Sequence, residues 1–95
     1  MSASTIAVAK FRLGHIVSTP NALSQLSQED ILMAIRRHQS GDWGDLDSED
    51  KAANDRALVE RTRVFSVYRS ALGVKFWLIT EADRSVTTVL MPEDY

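Results

Sequence analysis

The stretch Phe76–Pro92, FWLITEADRSVTTVLMP, decides the fold. It contains two runs rich in aromatic and β-branched residues, which suit the half-buried, pleated surface of a β-sheet. A short charged turn, Glu81–Arg84, separates the two runs, and Pro92 stops the second one. Because so short a link joins neighbouring strands, we predict an antiparallel pair over 74–80 and 85–91.

A third strand is predicted immediately before this pair. Residues 63–69 alternate in the same way, and Ala71-Leu72-Gly73 provides a turn into the next strand. The three strands then form an antiparallel meander, to which residues 11–17 permit a fourth. Apolar residues occur on both faces of this sheet. We expect helices to cover one face, and the N-terminal segment or a second molecule to cover the other.

Three helix-start signals occupy the first two thirds of the chain. Each combines a capping side chain with a proline at the first helical position or an acid three residues later. The signals are Thr19-Pro20, Ser27 with Asp30, and Asp47 with Asp50. They predict helices over 20–26, about 28–39, and from 47 to about 61, the last with Ala53, Ala57 and Leu58 facing inward. The predicted fold is α+β, with two to three helices packed on a three- or four-stranded antiparallel sheet that ends in the meander.

Composition favours one small globular domain over 1–95, with residues 1–5 expected to be disordered. Hydrophobic residues make up 44% of the 95 positions and charged residues 25%, close to ordinary globular averages. The absence of cysteine excludes disulfides and thiolate zinc sites, and no apolar run is long enough for a membrane span. A net charge of −2 gives no global attraction to nucleic acid. We expect a cytoplasmic protein that contacts no membrane and carries no cofactor.

Acidic residues are concentrated between Gly41 and Glu60, and this region is our predicted partner-binding surface. Two glycines flank Trp43, so the loop can aim this ring, either as an anchor for the loop or as a contact with a partner. Trp77, on a strand, is expected in the core. No metal is expected, because an EF-hand beginning at Asp45 would need glycine where Asp50 stands and glutamate where Arg56 stands. The predicted contact residues are Asp42, Trp43, Asp45, Asp47 and Asp50.

The residues are also compatible with two other functions. A small DNA- or RNA-binding regulator would use basic side chains, namely Arg36, Arg37, Arg61, Arg63 and Arg69. A small-molecule-binding domain would use the polar cluster Glu81, Asp83 and Arg84, for which the simpler interpretation is an Asp–Arg pair that fixes the hairpin. A catalytic triad lacks support, because His15 and His38 are the only histidines and His38 suits the end of a helix. We therefore predict no catalytic residues.

Three stretches together resemble a family of small bacterial proteins carried on plasmids and other mobile elements. They are Gly41–Asp45, Asn54–Leu58 and the segment from Trp77 to Tyr95. Members are described as plasmid-related or as associated with type I restriction. The resemblance implies a genetic setting of plasmid maintenance or interference with host defence. It leads us to expect a non-catalytic interaction protein that inhibits a CRISPR or restriction complex by direct protein binding. The sequence also permits a homodimer.

Overall fold

The computed structural model describes residues 9–95, so the expectation of disorder over 1–5 lies outside the described residues. The elements follow the predicted order, with a short strand first, three helices next and the meander last. In chain order they are β1 (His15–Ser18), α1 (Pro20–Gln25), α2 (Gln28–Gln39), α3 (Ser48–Glu60), β2 (Val64–Arg69), β3 (Lys75–Thr80) and β4 (Val86–Leu90), followed by a 3₁₀ turn (Pro92–Asp94).

The four strands form one sheet in the order β1-β4-β3-β2, and the predicted α+β architecture is confirmed. Strands β2, β3 and β4 form the predicted antiparallel meander. The fourth strand differs from the prediction because β1 pairs with β4 in the parallel direction. All the helices and two strands separate β1 from β4 in sequence, so no short turn forces them to run antiparallel.

The predicted helix starts are all confirmed by their hydrogen bonds. The Thr19 hydroxyl accepts the Ala22 N–H, with 3.1 Å between oxygen and nitrogen, and Pro20 occupies the first turn. Ser27 and Asp30 form a reciprocal capping box at α2. The Asp47 carboxylate accepts the Asp50 N–H at 2.8 Å and begins α3. Local sequence therefore sets where each helix begins.

All three helices lie on one face of the sheet. A core cluster joins side chains of α1 and α2 to that face, and a smaller cluster joins α3 to its β2 end. The sheet residues of the first cluster are Tyr68, Phe76, Leu78, Val89 and Met91. The inward face of α3 differs from the prediction at Ala53, which is exposed, whereas Asn54 is buried.

Asn54 faces the sheet because its amide completes the backbone bonding of β2. The Asn54 side chain donates to the Phe65 carbonyl at 2.6 Å and accepts the Phe65 N–H at 3.2 Å. A buried polar side chain is stable where both its donor and its acceptor find partners. The methyl side chain of Ala53 can form no such hydrogen bonds, and Asn54 faces the sheet in its place.

The opposite face of the sheet is covered by none of the described helices. The strand register places Phe65 opposite Ile79, and Trp77 between Val67 and Leu90, on this open face. Beyond β4, the 3₁₀ turn contacts β3, and the Tyr95 ring packs against Trp77 on this face. The expectation that the helices leave one apolar face uncovered is therefore met for residues 9–95. In that part of the chain no helix is long and apolar enough to cross a membrane.

Candidate functional site

Trp43 is buried inside the protein, with only 3% of its surface exposed. It packs with Ala57 and Val64 in the α3 cluster, and its indole N–H donates to the Asp55 carboxylate at 3.0 Å. The sequence left an anchoring role and a contact role open for this ring. The structure shows that the ring anchors the loop, because it is buried and bonded to Asp55. Trp43 is therefore not available as a surface contact, and we do not retain it in the candidate site.

The loop around Trp43 also covers the outer edge of β2. The Trp43 carbonyl accepts the Val67 N–H at 3.3 Å, and the Asp45 N–H donates to the Val67 carbonyl at 2.7 Å. Gly44 lies between them at φ +78°, where a Cβ would overlap the Val67 carbonyl. A glycine is required here because the backbone must approach the strand this closely. The loop therefore satisfies an edge that would otherwise invite pairing with another strand.

Three of the four acidic residues of the predicted contact surface have partners within the protein. Asp42 forms a bidentate pair with Arg37, and this bond lowers the pKa of Asp42. Asp45 accepts the Arg69 Nε–H at 2.9 Å. Asp47 caps α3, and Asp50 lies exposed in the first turn of that helix. These acids mainly fix the loop and the helix start, although exposed pairs of this kind contribute little stability.

His38 is fully buried at the centre of a chain of hydrogen bonds. Its Nδ1 lies 2.6 Å from the Ser66 hydroxyl and its Nε2 lies 2.8 Å from the Thr80 hydroxyl. Thr80 continues to Thr87 at 2.7 Å, and the Thr87 hydroxyl reaches the Leu13 carbonyl at 2.7 Å.

The direction of this chain follows from its last acceptor. Because a carbonyl only accepts, Thr87 must donate to Leu13, and Thr80 must then donate to Thr87. His38 Nε2 therefore carries the hydrogen, while Nδ1 accepts from Ser66. Burial lowers the pKa of His38 to about 3, with the charge of Arg84 acting in the same direction. Ser66 is also 0% exposed, so no substrate reaches this Ser–His pair and its role is structural.

The open sheet face carries three aromatic side chains, Phe65, Trp77 and Tyr95, beside Ile79, which is itself only 6% exposed. We call these four residues the aromatic surface. The rings of Phe65 and Trp77 meet edge to face with centroids 5.0 Å apart, and those of Trp77 and Tyr95 lie 5.7 Å apart. Together with Arg63 they line an open groove of about 250 Å³. Trp77 was predicted in the core but is only half-buried here, because no described helix packs on its face.

Charged residues border the aromatic surface. Arg63 donates to the Tyr95 hydroxyl and to Glu81, each at 3.2 Å. At the other end of β2 and β3, Arg69 faces Lys75 in register, and both are exposed. The alternation along the strands places these residues on the open face. With Asp45 counted, since it accepts from Arg69 at 2.9 Å, three cations face two carboxylates, and the border carries an excess of one positive charge.

The arginines proposed for nucleic-acid binding are divided among different surfaces, although Arg37 and Arg69 line the same open cavity. Arg37, Arg63 and Arg69 each pair with a carboxylate of the protein. Arg36 is exposed on α2, and Arg61 follows α3 in the left-handed region at φ 59°. Pairing within the chain removes much of the field that would attract phosphate from three of these five side chains.

The three residues of the predicted polar cluster at the last turn each bond to different partners. The Arg84 guanidinium does not pair with Asp83 but donates to the carbonyls of Ala57 and Thr62, at 3.0 and 2.7 Å. The Asp83 carboxylate instead accepts the Ser85 N–H, and Glu81 pairs with Arg63. The Asp–Arg interpretation is therefore wrong, because the end of α3 supplies carbonyls that a buried guanidinium can satisfy. The sequence offered no signal for this long-range contact.

Within residues 9–95, no group of three or more histidine, aspartate or glutamate side chains is placed to hold a metal ion. Comparisons with protein-family models, curated proteins and solved structures give no match to this chain. The fold defines an α+β domain in which the helices of residues 9–95 cover one face of the sheet, and functional inference depends on its own surfaces.

Proposed function

We propose that this chain is a non-catalytic interaction protein that binds a protein partner through the aromatic surface. The observation that carries the proposal is the row of Phe65, Trp77 and Tyr95 on a sheet face left open by every described helix. Trp, Tyr and Arg side chains are the commonest energetic centres of protein interfaces. Arg63 adds such a side chain at the border of the groove.

The charge at the border favours a different protein over a second copy of this chain. Arg63, Arg69 and Lys75 outnumber Glu81 and Asp45 there by one charge, so two copies placed face to face would bring net positive borders together. A partner with apolar side chains surrounded by carboxylates is complementary to this surface. The resemblance to plasmid-carried proteins leads us to propose a CRISPR or restriction complex of the host as that partner, with inhibition in the cytoplasm as the outcome.

A reconstitution with purified defence complexes tests the proposal. Wild type, Trp77→Ala and the control Val59→Ala are compared by calorimetry, since Val59 is an apolar residue 83% exposed on α3. Loss of an interface tryptophan typically costs at least about 2 kcal/mol, so we expect binding to weaken roughly 30-fold or more in Trp77→Ala. Val59→Ala should bind like wild type.

Three results would contradict the proposal. They are no binding to any complex of these classes, equal weakening by both variants, or a wild-type protein that is a stable dimer through this face. Light scattering at high protein concentration detects the dimer, and thermal melts of both variants establish that each remains folded.

A further inference from the structure

A second surface, which differs from the aromatic surface in its residue types, surrounds an open cavity of about 470 Å³. Four of its lining side chains are cationic, one is acidic, and Phe11 and Leu58 supply apolar walls. We call it the basic cavity, and its charged residues are Lys10, Arg12, Arg61, Arg84 and Asp83. It shares no lining residue with the groove of the aromatic surface.

The fold holds the cations of this cavity close together. Arg84 is only 8% exposed and is fixed by backbone carbonyls at the end of α3. Its guanidinium carbon lies 5.6 Å from the centre of the Phe11 ring. Burial lowers the pKa of Arg84, and the charge of Arg61 contributes in the same direction, as expected for neighbouring cations. Lys10 is held through its backbone, because its N–H donates to the Gln39 carbonyl at 2.8 Å.

The protein supplies too little negative charge to balance this cluster. Of the described carboxylates, only Asp83 lines the cavity, and none forms an ion pair with the four cations. Residues 1–8 contain no aspartate or glutamate. The end of α3 contributes roughly half a negative charge through its dipole. Four positive charges against about one and a half negative charges leave the cavity clearly positive.

We propose that the basic cavity binds a phosphate group, carried either by a small phosphorylated molecule or by free phosphate. A phosphate carries up to two negative charges, close to the charge that the cavity lacks. Guanidinium groups match phosphate oxygens in a fork-shaped geometry, and a lysine adds a mobile point charge. The volume lies in the range of small-ligand sites, and the apolar wall of Phe11 and Leu58 suits the remainder of a small ligand.

Titration with inorganic pyrophosphate at constant ionic strength tests this proposal. Arg61→Gln and Arg12→Gln each remove an exposed lining cation, and Arg56→Gln is the control, since Arg56 is an exposed cation of α3 outside the cavity. We expect saturable binding by calorimetry and by amide chemical shifts around the cavity. Each lining variant should weaken binding roughly tenfold or more, because a hydrogen bond to a charged group is lost. The Arg56→Gln control should stay within about twofold of wild type, because long-range charge is screened by salt.

Parallel titrations with inorganic phosphate and with a nucleoside monophosphate distinguish the two sources of phosphate. Tighter binding of a nucleoside monophosphate than of inorganic phosphate would support the proposal and identify a phosphorylated small molecule, while equal affinity would support it and identify the free anion. Absence of saturable binding would overturn it, as would equal weakening by Arg56→Gln. A single-stranded oligonucleotide that binds more tightly than either and depends on Arg36 would also overturn it. Binding of the protein partner by Trp77 does not enter any of these results.

Discussion

Acid should destabilise the protein through His38 at a higher pH than through the aspartates whose pKa is lowered by hydrogen bonds. The pKa of His38 is about 3 in the folded protein, against an ordinary value of 6.5. The folded state therefore favours the neutral ring, and the stability that this provides is complete above about pH 6.5 and is lost as the pH falls toward 3. Four aspartates have pKa values lowered from 3.8, so their contributions are lost only around and below that pH.

The size of the effect follows from the two pKa values of His38. Between about pH 8 and about pH 4.5, a group with these values removes roughly 2.5 to 3 kcal/mol from the free energy of unfolding. Small domains are typically stable by only about 5 to 15 kcal/mol, so the change is easily measured. Urea unfolding at several pH values over this range gives the slope of the free energy of unfolding against pH.

Matched variants assign the slope to one side chain. His38→Gln retains an amide but cannot titrate, so its slope should nearly vanish over this range. His15→Gln changes an exposed histidine on β1 and should leave the slope unchanged. A wild-type free energy that is flat between pH 4.5 and 6.5, or a slope that survives in His38→Gln, would refute the reasoning about the buried network.

Five further substitutions test the packing. Trp43→Ala should cost about 3 to 5 kcal/mol of unfolding free energy, as a buried ring does, whereas Trp77→Ala should cost about 1 to 2 kcal/mol; equal costs in denaturant melts would contradict the assigned burial. Asn54→Ala leaves the Phe65 N–H and carbonyl without their partner and should cost roughly 2 to 3 kcal/mol, which a neutral result would disprove. Gly73→Ala meets no atom within 4 Å and should cost about 1 to 2 kcal/mol from its positive φ alone, while Gly44→Ala should cost at least about 1 kcal/mol more because it overlaps the Val67 carbonyl; similar melting temperatures would count against this difference.

The sequence predicts the elements of this fold well because their signals are local. Caps such as Thr19, Ser27 and Asp47 act on residues three positions away, and alternation along β2, β3 and β4 is visible within each strand. Short links then determine which strands are neighbours. The direction of β1 was not predictable in this way, because its partner β4 lies across the whole chain.

The roles of the two tryptophans show where local patterns fail. Alternation along β3 shows that Phe76 and Trp77 face opposite sides, but both sides are apolar, so the sequence does not say which one the helices cover. The helices cover Phe76 and leave Trp77 at the surface, while α3 and the edge of β2 enclose Trp43. Arg84 was predicted as part of a polar cluster, but its partners Ala57 and Thr62 were not predictable, since they come from a distant part of the chain.

The indole resonances of the two tryptophans provide the most direct test of the aromatic surface. Each tryptophan gives one indole N–H signal, and the Trp43 signal belongs to a buried group bonded to Asp55. During titration with a purified defence complex, we predict that the Trp77 signal shifts or broadens at substoichiometric partner and the Trp43 signal changes little. The Trp43→Ala and Trp77→Phe variants assign the two signals. A response at Trp43 with none at Trp77 would place the contact at the acidic region between Gly41 and Glu60 and contradict the account.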